Sequence, residues 1–170
     1  REMLMKVEVP EQESEIVADC LISTSLRGVD THGVMIFPRY VSLIKTGAAR
    51  SCVKVNVVQD SGPTALWDGC CSLGQVIGIR AMEKCLEKAE NFGLGVVGVR
   101  KSNHYGACAH YAMKALDQDM IGITLSTGSP VMAPWGGCTP LIGNNPLAVA
   151  IPCEEELPIV LDMAQGVVSG

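Results

Sequence analysis

The stretch "VRKSNHYGACAHYA", Val99 to Ala112, sets His104 and Tyr105 between an apolar run and an alanine-rich one. Two of the chain's three histidines, His104 and His110, fall here. Ser102 and Asn103 are favoured helix N-cap residues, which would put His104 at or beside a first helical turn. The positive end of a helix disfavours imidazolium, so a histidine there stays neutral near pH 7, from an unperturbed pKa of about 6.5. Neutral imidazole can take a proton from an alcohol, and imidazolium can return one to a carbonyl. The N–H groups of the same turn suit an anionic substrate or a cofactor phosphate. A histidine that only caps or packs is the competing reading. His110 would lie on a different helical face, so it reads as a surface or packing residue and not as a metal ligand beside His104.

The third histidine sits in "LRGVDTHGVMIFPRY", Leu26 to Tyr40. Asp30 and Thr31 can cap or orient around His32. Arg39 and Tyr40 follow within two turns and can grip a carboxylate. A polar corner between two helices is the competing reading, since Gly and Asp belong in corners. "PIVLDMAQG" ends an apolar strand on Asp162. A carboxylate there can fix a histidine tautomer, bind a ribose hydroxyl, or cap the next turn. "PWGG" and "LIGNNP" are loop sequences, in which Gly136, Gly137, Gly143, Asn144 and Asn145 let backbone approach a ligand or simply turn.

Positioning these residues requires elements that the pattern supplies. Pro10 followed by "EQESE" reads as a helix start with Pro at its first position, and Gly28 as its stop. Phe37, Tyr40, Val41 and Ile44 mark a second helix ending near Gly47, which Pro38 opens or kinks. "KVNVVQD" and "TALWDG" alternate like paired strands around Gly62-Pro63. "SLGQVIGIRAMEKCLEKAENFG" is a long amphipathic helix with Ser72 as candidate cap. "LGVVGVR" is a strand, "GACAHYAMKALDQD" a helix, and "MIGITLS", "PLAVAIP" and "PIVLDMA" are further strands. "GLGVVG", Gly93 to Gly98, matches the dinucleotide pattern G-x-G-x-x-G. That pattern must follow a strand and open a helix; here it follows a helix and enters a strand. Gly93 reads as a helix C-cap, and Gly95 and Gly98 as close-packing strand residues.

Composition sets the bounds. The chain has 170 residues, is 48% apolar and only 18% charged, so it is rich in core formers and not disordered. Its net charge of −5, with no Lys/Arg block, argues against nucleic acid and anionic membrane as partners. No apolar run approaches the length of a membrane span. Eight cysteines without a C-x-x-C pair read as reduced core residues of a cytoplasmic protein, Cys20, Cys85 and Cys108 among them. The chain opens on Arg1 and closes on "VVSG", so both ends read as positions inside a longer protein.

Taken in order, "LRGVDTHGV" with "PRY", "SNHYGA", "APWGG", "GNNPLAVAIP" and "LDMA" resemble the type-2 malate/L-lactate dehydrogenase family. That family also holds sulfolactate and ureidoglycolate dehydrogenases, diketogulonate reductase and a cyclic-imine reductase. The resemblance implies an α/β fold: a helical substrate-side segment over 1–52, then over 53–170 the first part of a non-Rossmann cofactor domain, truncated at the C-terminus. It implies NAD- or NADP-dependent hydride transfer at C2 of a small 2-hydroxy or 2-oxo acid, in a cytoplasmic homodimer. It places His32 as proton donor/acceptor, with Thr31 where Ser is usual, and His104 as the second histidine. Asp162 matches the orienting carboxylate, and Arg39 and Tyr40 the substrate-side pair. Thr127, Gly128, Ser129, Asn144, Asn145, Leu161, Asp162, Met163 and Ala164 would lie along the cofactor; no metal is implied. Ile36 stands where many members carry Arg, which removes a carboxylate clamp. Asn144 replaces a common Thr, and Gln165-Gly166 a common Thr-Ser. The alternatives are a cyclic-imine reductase and an inactive relative that only binds cofactor.

Overall fold

Helix α1 (Glu2–Met5) and helix α2 (Glu11–Leu26) open the chain, and the computed structural model describes residues 1–166. Pro10 is the N-cap of α2 and not its first helical residue, with ψ at 149°. Glu11 and Glu13 occupy the first turn, where the helix dipole favours acids. Gly28, at φ +79°, takes the left-handed turn past the end of α2. Two 3₁₀ turns, Asp30–His32 and Val34–Ile36, lead into helix α3 (Phe37–Lys45). Pro38 opens α3 and does not kink it.

Strands β1 (Asn56–Ser61) and β2 (Thr64–Asp68) form the expected antiparallel hairpin, turning through Gly62 at φ +50°. Helix α4 (Gly74–Phe92) then crosses over to strand β3 (Val96–Arg100), which pairs parallel to β2. A parallel neighbour requires such a crossover. The cap of α4 is Leu73, which offers no side-chain hydrogen bond. The expected cap Ser72 is buried, and its hydroxyl accepts Lys54 N–H at 3.0 Å and donates to Lys54 C=O at 3.2 Å. Gly93 ends α4 at φ +77°, and a Cβ on Gly95 would strike the Cys85 carbonyl of that helix. Gly98 has only ordinary contact with Leu66, so of the two expected packing glycines Gly95 alone is forced.

These elements belong to a first compact unit, Arg1–Ala107. Its main core joins Leu4, Val17, Leu21, Tyr40, Leu73 and Val76, tying α1, α2, α3 and the start of α4 together. A smaller cluster, Ala65, Trp67 and Ala81, packs β2 on α4. The carboxylate of Glu13 is buried, accepts Val53 N–H at 3.0 Å and meets Arg80 at 2.9 Å. A buried charge is tolerated only with such partners.

The second unit, from Cys108, is described separately. The helix expected over "GACAHYAMKALDQD" is much shorter: α5 (Ala109–Ala112) passes into a 3₁₀ turn, Met113–Gln118, which Asp119 ends at φ +54°. Strands β4 (Gly122–Leu125), β5 (Leu147–Ile151) and β6 (Ile159–Met163) form an antiparallel sheet in that order. Gly122 has no room for a Cβ against the Ala112 carbonyl, so α5 lies directly on the sheet. Helix α3 ends at Lys45 and strand β1 begins at Asn56, while the compact units divide between Ala107 and Cys108. No helix among the described residues is long and apolar enough to cross a membrane. None of the eight cysteines forms a disulfide among the described residues. Cys20 and Cys108 are buried as expected and Cys85 partly so, but Cys52, Cys71, Cys138 and Cys153 are exposed.

Candidate active site

His104 does not begin a helix. It lies in an irregular segment, five residues before α5. Nor does Asn103 cap one: its Nδ2 donates to the carbonyls of Ala48, Cys71 and Ser72, at 3.3, 2.9 and 3.2 Å. Those bonds moor the segment to the first unit. Cys20 Sγ donates to the Tyr105 carbonyl at 3.7 Å, and Gly106, at φ +85°, turns the chain there. On the other side Gly74, in the first turn of α4, lies against the carbonyls of Asn103 and His104, where a Cβ would collide. Sequence reasoning missed Gly74. Its signal was a glycine inside a helix, which costs about 1 kcal/mol against alanine and so implies a packing reason.

His32 reaches the same place from its 3₁₀ turn. Its corner is pinned to α2, where Ser25 Oγ accepts Val34 N–H at 3.0 Å and Gly33 has no room for a Cβ. The His32 and His104 rings stand with centroids 5.5 Å apart, tilted by 32°. Thr31 Oγ1 is 3.0 Å from His32 Nδ1. Tyr40, 1% exposed, puts its hydroxyl 2.7 Å from His104 Nδ1. Residues far apart in the chain thus share one constellation, with the buried Tyr40 hydroxyl engaged by His104.

Electrostatics specify the state of that pair. Burial is the largest influence on His104 and holds its pKa down at about 4, with the charges of His32 and Arg39 adding to the effect. The expected neutrality therefore holds, but desolvation causes it and not a helix dipole. Burial likewise raises the Tyr40 pKa well above the usual phenol value, aided by Cys20, so the phenol keeps its proton. Gly106 N–H also approaches His104 Nδ1, at 3.4 Å, and can only donate. Two donors on Nδ1 place the ring proton on Nε2. His104 thus offers an Nε2–H donor beside the His32 ring.

Tyr40→Phe tests the tautomer. It is expected to cost about 1 kcal/mol of stability through the lost buried hydrogen bond. Nitrogen chemical shifts of His104 should then move from one tautomer toward a mixture of two; unchanged shifts would show that Tyr40 does not set it.

The remaining sequence-derived residues collect in the second unit. Register pairs Leu125 with Leu147 and Leu147 with Met163, so the end of β4, the start of β5 and the end of β6 share one sheet edge. This brings Thr127, Gly128 and Ser129 beside Asn144 and Asn145: Asn145 Oδ1 accepts Gly128 N–H at 3.0 Å, and a Cβ on Gly128 would strike Asn144. The Asn144 carbonyl accepts Gln165 N–H at 2.8 Å, joining the "LDMA" end to the same edge. Thr127 and Ser129 are exposed there, as are Leu161, Met163 and Ala164. Asp162 Oδ2 accepts Ala109 N–H at 2.8 Å and so caps α5, not the turn that follows it. Hydroxyls, amides and close-packed glycine backbone at a strand end form a donor set suited to ribose and phosphate oxygens. No group of three or more His, Cys, Asp or Glu among the described residues could hold a metal.

A family model described as malate/L-lactate dehydrogenase matches residues 1–170. The malate dehydrogenase of Pyrococcus horikoshii is 43% identical over 166 residues, which cover 98% of this chain and 46% of that protein. Its solved structure superposes with a TM-score of 0.95, over 99% of this chain and 48% of that one. The L-sulfolactate dehydrogenase of Methanocaldococcus jannaschii is 42% identical, covering 88% of this chain and 43% of that protein. The chain spans about half the length of the curated relatives it matches.

Proposed function

Because this chain belongs to the malate/L-lactate dehydrogenase family, as its N-terminal half, we propose that it carries the acid–base apparatus of an oxidoreductase acting on small 2-hydroxy and 2-oxo acids. The observation that carries this reading is the His32–His104 pair with Tyr40 on His104 Nδ1. In the oxidative direction His32 takes the proton of the C2 hydroxyl. In the reductive direction it returns that proton to the carbonyl oxygen. His104, neutral and protonated on Nε2, donates a hydrogen bond to the same oxygen and steadies it as charge develops. Arg39, exposed at the start of α3, attracts the substrate carboxylate.

The family's chemistry calls for a nicotinamide, NAD or NADP, which supplies or accepts the hydride when bound. Thr127, Gly128, Ser129, Asn144, Asn145 and the run Leu161–Ala164 are the residues of this chain that would hold it. Division of the chain into a substrate-side segment over 1–52 and a cofactor-side segment over 53–170 is part of the same proposal. So are the cytoplasmic location and the homodimer.

Ile36 bears on substrate choice. It packs against the main core, and contributes no charge for a second carboxylate. Monocarboxylates such as pyruvate are therefore expected to outperform oxaloacetate and sulfopyruvate. The test uses this chain completed in frame with the second half of the Pyrococcus horikoshii enzyme, with folding verified by circular dichroism. Consumption of NADH and NADPH is followed with each 2-oxo acid and with a cyclic imine. Turnover of a 2-oxo acid supports the reading. A folded chimera that turns over only the imine, or binds nicotinamide without turnover, refutes it.

A further inference from the structure

Gln75 is fully buried in the first turn of α4, and neither its Nε2 nor its Oε1 makes a well-formed hydrogen bond among the described residues. Its sequence neighbours Leu73, Val76 and Ile77 are buried and apolar. A leucine or methionine at this position would extend the same core, whereas an unpaired buried amide costs stability. A packing rule broken at such a cost points to a functional site. The side chain stands beside the Tyr40 phenol. Burial does most to raise that phenol's pKa and Cys20 adds to the rise, while Arg39 and Gln75 oppose it, Gln75 as a hydrogen-bond partner. A partner that favours the deprotonated oxygen is a donor to it. The preceding residue, Gly74, lies against the His104 carbonyl. One helical turn therefore reaches both members of the Tyr40–His104 pair.

We propose that Gln75 is a positioning residue for this pair: its Nε2–H donates to the Tyr40 phenol oxygen and so aims the phenol's one proton at His104 Nδ1. This role rests on the acid–base reading of the site, in which His104 presents its Nε2–H to the substrate oxygen. Hydrogen-bond arithmetic selects the end of the amide. Oε1 facing the phenol would compete with His104 for that single proton. Were Oε1 to win, Nδ1 would have to become a donor, and the Gly106 N–H, 3.4 Å away, would then face another N–H. The 2.7 Å between the phenol and Nδ1 is the distance of a made bond, which leaves the phenol's lone pairs for Nε2–H. The amide thus acts on His104 through Tyr40 and touches no reacting atom.

Gln75→Met tests this in the chain completed with the second half of the Pyrococcus horikoshii enzyme. Methionine keeps the length of the side chain and removes both amide atoms. Thermal stability should be unchanged or raised, because no buried polar atom is left unpaired at this position. Nitrogen chemical shifts of His104, read without substrate or nicotinamide, should move from the Nε2–H tautomer to a mixture of two. In step with the fraction of the wrong tautomer, kcat should fall about two- to tenfold, with KM nearly unchanged. In the Tyr40→Phe background, Gln75→Met should move neither shifts nor kcat further, because the amide acts only through the phenol. Gln75→Leu repeats the series with a shorter apolar side chain. Unchanged His104 shifts in both variants overturn the proposal and leave the acid–base reading standing. Effects that add to those of Tyr40→Phe, or a marked loss of thermal stability in both variants, also overturn it, since the amide would then serve another partner or the fold. Altered shifts in a folded completed chain that turns over no 2-oxo acid uphold the positioning and sink the acid–base reading instead.

Discussion

His32→Asn, in the chain completed with the second half of a relative, is expected to lower kcat by about 10²–10⁴-fold and to leave KM nearly unchanged. Asparagine keeps a polar atom near Thr31, so the 3₁₀ corner and its bonds to Ser25 survive. What it cannot do is accept a proton and return it. His104→Asn should fall less, about tenfold to a hundredfold, because it removes a hydrogen-bond donor and leaves the proton acceptor in place. Steady-state kinetics of the two variants separate the roles. If His104→Asn is the more damaging and His32→Asn retains most of its turnover, the roles are exchanged. If neither slows turnover, the histidine pair is not the acid–base apparatus.

Unfolding of the chain should be steeply pH-dependent between neutrality and pH 4, and His104 should account for much of the slope. Its folded pKa is about 4, against about 6.5 when unfolded. The folded state therefore disfavours the proton that the unfolded state binds. This histidine's contribution is fully present above the unfolded value and is lost as pH falls toward the folded one. From pH 7 to pH 5 the loss amounts to about 2 kcal/mol. Urea titrations at the two pH values measure it, and His104→Gln, which cannot titrate, should flatten the dependence by that amount. An equal slope in wild type and variant would place the proton uptake elsewhere.

Much of the local architecture was legible because it rests on local causes. Glu11 and Glu13 announce the start of α2, Gly28 and Gly93 its end and that of α4, and Gly62-Pro63 the hairpin turn. Each acts through its own φ, its charge or its missing Cβ. Rejecting "GLGVVG" as a dinucleotide site also rested on order along the chain, and Gly93 indeed caps a helix while Gly95 packs on Cys85. Ser72 and Asn103 were read wrongly for one reason. Their polar groups serve distant backbone, Lys54 for one and Ala48 and Cys71 for the other, and no neighbour in sequence shows that.

The sequence by itself determined the family, the order of the elements and the residue types available for proton transfer, because those depend on side-chain chemistry and short-range pattern. Only the tertiary structure decided that His32, Tyr40 and His104 converge, that the proton of His104 sits on Nε2, and that Gly74 leaves room for its backbone. Tautomer and pKa depend on which donors and how little water surround a ring, and that surrounding exists only when α2, α3, α4 and the segment after β3 close on one another.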